Sequence, residues 1–230
     1  MYWITPLMHG VFGDRQGLTR PLVDRRQALH QQISSMLPDA NMVRRLTHRK
    51  MWQDYFHPSW SCMYDTLVGA GGDGSKWICD PHGLPSPCIV YSMGSRGDYS
   101  FERAIHSIKP ECEIHTFDKD VQYNAPHFVR FHQEFITSLA DTRRRLGHTR
   151  IDILKMDIEG SEFEALSGPL DNIGQIAVEV HAWNGNAAVA DLFQHLHASG
   201  FAIFHKEPNI EWGGADCCCV EFSLVAIVPN

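Results

Sequence analysis

The sequence predicts an α/β fold: a mostly parallel sheet that closes in an antiparallel hairpin. Three observations predict it. From Pro87 onward, apolar runs of strand length alternate with segments whose apolar residues recur at helical spacing. The first run passes at once through Gly94-Ser95-Arg96-Gly97 into a helix. No helical pattern separates the last two runs, so they are expected to pair antiparallel at one sheet edge.

The elements follow in order. Before the break at Pro85-Ser86-Pro87 the pattern is irregular. Residues 1–84 are therefore expected to form an N-terminal helical extension or cap, and residues 85–230 the main domain. Within the extension, Ala28, Leu29, Ile33, Met36 and Leu37 fit a helix face, and Gly69 to Gly74 reads as a loop. Trp52, Tyr55, Phe56 and Trp60 either line an acceptor pocket or pack in the core. Residues 88–93 are the first strand of the domain. Phe101, Ala104, Ile105 and Ile108 then share one helix face, with Asp98 or Ser100 as cap and Pro110 as terminator. Strands are expected at 113–117, 128–131, 151–156, 175–180, 201–205 and 220–228. Helices are expected at 137–146, closed by Gly147, at 161–166 and at 189–198. Ser161 and Glu164 have the spacing of a capping box.

Composition narrows the function classes. With a net charge of −7 and no long basic stripe, the chain is a poor candidate for gripping nucleic acid. No apolar run approaches the roughly 20 residues that span a bilayer. The first residues lack a basic stretch ahead of an apolar core, so they do not read as a signal peptide. The seven cysteines include no C-x-x-C pair, and their odd count and adjacent triplet do not suggest a disulfide framework. A reducing, cytoplasmic setting is the expectation from these features.

In such a sheet a ligand binds at the carboxyl ends of the strands. The turn Gly94-Ser95-Arg96 is expected to meet a nucleotide cofactor there, because glycine permits close approach and a helix N-terminus favours negative groups. Asp118 ends the next strand and is expected to accept ribose hydroxyls; that role serves NAD and S-adenosylmethionine alike. Asp157, Glu159, Glu179 and His181 stand at the ends of two further strands.

The segment Ile153-Leu154-Lys155-Met156-Asp157-Ile158-Glu159-Gly160-Ser161-Glu162 resembles the signature of the FkbM-type family of class I methyltransferases, including its animal methyltransferase-like branch. Ala177-Val178-Glu179-Val180-His181 resembles the following strand of that family. The resemblance implies a Rossmann-like, seven-stranded fold and S-adenosylmethionine as methyl donor. It also implies O-methylation of a small-molecule or glycan hydroxyl. The chain departs from the family in carrying Ser92 where many members have Asp, and Asp98 where their turn has Gly. An NAD-dependent oxidoreductase, a non-catalytic module that kept the fold and an N-methyltransferase are the alternatives. Within the main reading, His181, Asp157 and Glu179 are the catalytic candidates, and Gly94, Ser95, Arg96, Asp118 and Asp157 the cofactor contacts. Two versions of the chemistry stay open: a divalent cation held by Asp157, Glu179 and His181, or His181 acting alone as the base.

Overall fold

The computed structural model describes residues 31, 40–46, 51–120, 124–209 and 219–227. Its centre is a seven-stranded sheet. In chain order the strands are β3 (Ile89–Met93), β4 (Glu113–Phe117), β5 (Val129–His132), β6 (Ile151–Met156), β7 (Ile173–His181), β8 (Phe201–Pro208) and β9 (Cys219–Ala226). Their spatial order is β5-β4-β3-β6-β7-β9-β8. The first five pair in parallel, and β9 inserts antiparallel between β7 and β8. The fold class expected from the sequence is therefore the one observed. β6 and β7 are buried along their whole length, so both faces are covered and even Asp152, Lys155, Gln175 and Glu179 lie in the interior.

The pleat sends neighbouring residues to opposite faces. Tyr91, Leu154, Ile176 and Val178 join one core cluster, together with Leu139 of α3 (Leu139–Leu146) and Val189 and Phe193 of α5 (Gly185–Ala198). Val90, Ile114, Ile153 and Ala177 join another, with Phe101 and Ile105 of α2 (Ser100–Ile108). Val43 of the short helix α1 (Ala40–Arg44) belongs to the first cluster. So do Trp52 and Phe56, which pack on Phe222 and Phe193; of the two readings offered for these aromatics, core packing is the one observed.

Three expectations need correction. Residues 65–79, expected within a helical extension, form an antiparallel hairpin of β1 (Asp65–Val68) and β2 (Lys76–Cys79). The Gly-rich stretch between them is its turn. Gly69 sits at φ +133°, and a Cβ there would lie 2.4 Å from Ser75 Oγ. The side-chain amide of Gln175 on β7 docks the hairpin: it accepts from Cys79 N at 2.8 Å and donates to Cys79 O at 2.7 Å. The helix face proposed at Ala28 to Leu37 lies outside the described residues.

The second correction concerns the cysteines. Cys62 is bonded to Cys79 and Cys88 to Cys112, and Cys219 is also disulfide-bonded. Spacing alone did not show the two bridges whose partners are 17 and 24 residues apart, because those cysteines meet only in the fold. Third, the capping box at Ser161 does not form. Ser161 makes no side-chain cap bond to α4 (Glu162–Ala165). Glu159 and Gly160 both adopt positive φ, and the tight turn they make hands the Gly160 amide to Glu162 instead. Among the described residues no helix is long and apolar enough to cross a membrane.

Candidate functional site

Strand order reverses between β3 and β6, and a cleft of about 880 Å³ opens at the carboxyl ends there. Gly94 marks the crossing. Its N–H donates to Phe117 O at 2.9 Å, and Asp157 N donates to Met93 O at 3.0 Å. Lys155 Nζ donates to Gly94 O at 2.6 Å. These bonds draw the backbones so close that a Cβ on Gly94, at φ +74°, would lie 1.7 Å from Asp157 O. The sequence reading reserved this close approach for a ligand; the structure uses it for protein backbone.

The next turn residues face Asp118. Its Oδ2 accepts from Ser95 N at 3.1 Å and from Arg96 N at 2.8 Å. Its Oδ1 accepts from Asp120 N at 3.0 Å. Gly94, Ser95, Arg96 and Asp118 thus form one wall of the cleft, with Asp118 tying the turn to the end of β4. A carboxylate has about four acceptor positions, so outward-facing capacity remains on Oδ1. Asp98 also lines the cleft, and its Oδ1 accepts from Ser100 N at 2.8 Å at the start of α2.

His181 is the last residue of β7 and is buried. Glu162, wholly buried in α4, holds it. Glu162 Oε1 accepts from His181 N at 2.6 Å and faces His181 Nδ1 at 3.1 Å. Glu162 Oε2 accepts from Gly160 N at 2.9 Å. The other ring nitrogen, Nε2, lies 3.4 Å from Glu159 Oε2 and 3.7 Å from Glu179 Oε2. Burial opposes a charged imidazole here. The hydrogen bond and charge of Glu162, joined by Glu179 and Asp157, outweigh it and push the His181 pKa up to about 9. Burial, with Asp157 and Glu221 as like-charged neighbours, raises Glu179 to about 8.

Beside this pair sits Lys76, which the sequence reading did not single out. Hairpin β1–β2 carries it into the acid cluster, where it is 2 % exposed. Its Nζ donates to Glu221 Oε1 at 2.5 Å and to Asp73 O at 3.0 Å, and lies 3.8 Å from Asp157 Oδ2. Burial works against its charge, but Glu221 and Asp157 keep its pKa above the ordinary lysine value. Glu221 is raised to about 7 by burial, which the lysine only partly offsets. Asn209 Nδ2 bridges Asp73 Oδ1 and Glu179 Oε1 at 2.7 and 2.8 Å.

The expected metal set is not assembled as a single trio among the described residues. His181 shares one possible ligand group with Asp157 and Glu159, and another with Glu179 and Cys219. Cys219 is disulfide-bonded and offers no thiolate. The ammonium of Lys76 already stands among Asp157, Glu179 and Glu221 as their cation.

The family model described as methyltransferase domain matches residues 8–133 and 119–226 of the chain. Among curated relatives, the probable methyltransferase-like protein 24 of Rattus norvegicus is 26% identical over 161 residues, covering 54% of this chain and 44% of its own. That of Homo sapiens is also 26% identical over 161 residues, covering 54% of this chain and 43% of its own. The chain thus spans less than half the length of these two relatives. Among solved structures, the Methanococcus jannaschii fibrillarin pre-rRNA processing protein has a TM-score of 0.43 at 11% identity, covering 63% of this chain and 68% of that one. A putative ribosomal RNA methyltransferase from Plasmodium falciparum has a TM-score of 0.43 at 14% identity, covering 64% of this chain and 90% of that one.

Proposed function

The chain belongs to the methyltransferase domain family, and on that premise we propose that it is an FkbM-like O-methyltransferase acting on a hydroxyl of a small-molecule or glycan acceptor. The observation that carries this reading is the buried His181, fixed at Nδ1 by Glu162 and open at Nε2 between two further carboxylates.

The cleft residues fit S-adenosylmethionine. The volume of about 880 Å³ lies within the ~300–1,000 Å³ of small-molecule sites. Asp118 keeps acceptor capacity for ribose hydroxyls, the turn Gly94-Ser95-Arg96 supplies the adjoining wall, and Asp157 offers a carboxylate to an amine. The excess of acids in the cleft suits a cationic donor. When bound, this cofactor supplies a methyl group already activated on a sulfonium. The chain's own work is alignment and removal of the acceptor proton. His181 Nε2 is assigned the proton, Glu162 holds the ring, and Glu179 and Asp157 stabilise the charge it gains. Trp183, 50% exposed, stands beside His181 with ring centroids 4.9 Å apart and offers a flat surface to the acceptor. The ammonium of Lys76 in the acid cluster supports the metal-free version of the chemistry.

The scattered basic residues support a small-molecule or glycan acceptor over a nucleic acid. The disulfide bonds support an oxidising compartment, in place of the cytoplasmic setting that the spacing of the cysteines suggested.

Calorimetry with S-adenosylhomocysteine, followed by transfer of labelled methyl to panels of hydroxyl and amine acceptors, tests the reading. Binding with transfer to hydroxyls is expected. Binding with transfer to amines alone would move the assignment to N-methylation, and absence of binding would favour the non-catalytic module. Asp118→Ala is expected to weaken cofactor binding by about 1.5–3 kcal/mol through loss of a charge-assisted hydrogen bond. Unchanged affinity in the folded variant would leave Asp118 as a purely structural tie.

A further inference from the structure

A second cluster of ligating side chains lies on the α3 face of the sheet, apart from the residues assigned to the reaction. Glu113 and His115 are two apart on β4 and share a face. His148 follows the end of α3. Ligand atoms of Glu113, His115 and His148 lie within 4.8 Å of one another. His115 Nε2 is 2.7 Å and His148 Nε2 is 3.3 Å from Glu113 Oε1. The three side chains are 28%, 2% and 10% exposed in the order Glu113, His115, His148, so the group is sheltered yet open on the carboxylate side.

We propose that Glu113, His115 and His148 form a zinc-binding site with a fourth position left to solvent. Two histidines and one glutamate are a ligand set that Zn²⁺ takes with an open position. Tetrahedral bonds of about 2.0–2.1 Å put ligand atoms roughly 3.3 Å apart; His148 Nε2 already stands at that spacing from Glu113 Oε1, and His115 Nε2 is closer, at hydrogen-bond distance. The outer shell is already in place. The other nitrogen of His148 meets Tyr91 Oη at 2.8 Å, and the other nitrogen of His115 meets His132 Nε2 at 2.8 Å. Partners of this kind fix ring orientation and tautomer in zinc sites. Each ring keeps one proton on binding; it moves to Nδ1, and Nε2 takes the metal. Arg130 pairs with Glu113 from the solvent side, its side chain 63% exposed.

The site would staple β4 to the connection between α3 and β6. The test uses the full chain stripped with chelator, then titrated with Zn²⁺ alone and with Co²⁺ as a spectroscopic probe. Uptake of one equivalent at this site, the intense visible bands of four-coordinate Co²⁺, and a raised melting temperature are expected. His148→Ala and Glu113→Gln should abolish the bands, while His181→Ala, altered only in the cleft, should retain them. Tyr91→Phe removes one outer-shell partner without changing the fold, and should weaken zinc affinity by about 10- to 100-fold. A wild-type chain that takes up no zinc, or Co²⁺ bands that survive both His148→Ala and Glu113→Gln, would overturn the proposal.

Discussion

Lys76→Met is expected to lower stability at neutral pH by about 3–5 kcal/mol, the range seen when one partner of a buried ion pair is removed. The ammonium sits within reach of Glu221, Asp157 and the backbone of Asp73, and methionine supplies none of its charge. Glu221 Oε2 is already buried without a hydrogen-bond partner, so the variant leaves both of its oxygens unpaired. The loss should depend on pH. Glu221 and Glu179 have folded pKa values of about 7 and about 8, above the ordinary 4.5. A group raised on folding contributes stability that is fully present below its unfolded value and is lost as pH rises through its folded value. Below about pH 4.5 both acids are therefore protonated in either state, and the variant carries less uncompensated charge. Urea unfolding should show a wild-type-to-variant gap that is wide at pH 8 and narrower near pH 4.5. A gap that is constant with pH, or widest in acid, would show that Lys76 acts by packing rather than by charge. The same variant should gain a divalent-cation site in the cleft, since Asp73, Glu179 and Glu221 lose the lysine that competes for their oxygens.

The sequence made the sheet legible and the hairpin partner illegible, for a physical reason. Parallel strands buried on both faces leave a strong local trace: β4 and β6 match the expected spans residue for residue. The carboxyl ends of such strands are where a site is expected, and Gly94, Asp118, Asp157, Glu179 and His181, pointed to by strand position and the family-like segments together, do line the cleft there. Lys76 was not pointed to in this way. It enters from a hairpin 145 residues before Glu221 in the chain, and only the tertiary fold sets it beside Glu221 and Asp157. A signal did exist: Glu221 interrupts the apolar run of β9, and an acid in a buried strand requires a buried cation. Glu162 carried no signal of its own beyond its place in the family-like segment, because its carboxylate reaches the backbone amide and ring of His181, 19 residues on, only in the fold. The cystines escaped notice because spacing does not report which cysteines the fold brings together.

His181→Ala is expected to reduce methyl transfer by about 10²–10⁴-fold, the usual contribution of a positioned base. The wild-type pH profile provides the sharper test. With a pKa of about 9, His181 in the free protein is mostly imidazolium at pH 7 and cannot accept a proton there. Activity as kcat/KM should therefore rise about tenfold per pH unit from neutral pH and level off near pH 9. The bound donor carries a sulfonium and an ammonium, and positive charge near an imidazole lowers its pKa. The limb seen in kcat, which belongs to the occupied protein, should thus lie at lower pH than the limb in kcat/KM. Glu162→Gln removes the principal stabiliser of the imidazolium while keeping its shape. It should shift both limbs toward neutrality and lower the plateau, because a glutamine amide orients the ring less firmly. His181→Ala should erase the limb near pH 9 altogether. A folded His181→Ala variant with wild-type turnover, or one that retains the basic limb, would show that the cleft works by alignment alone.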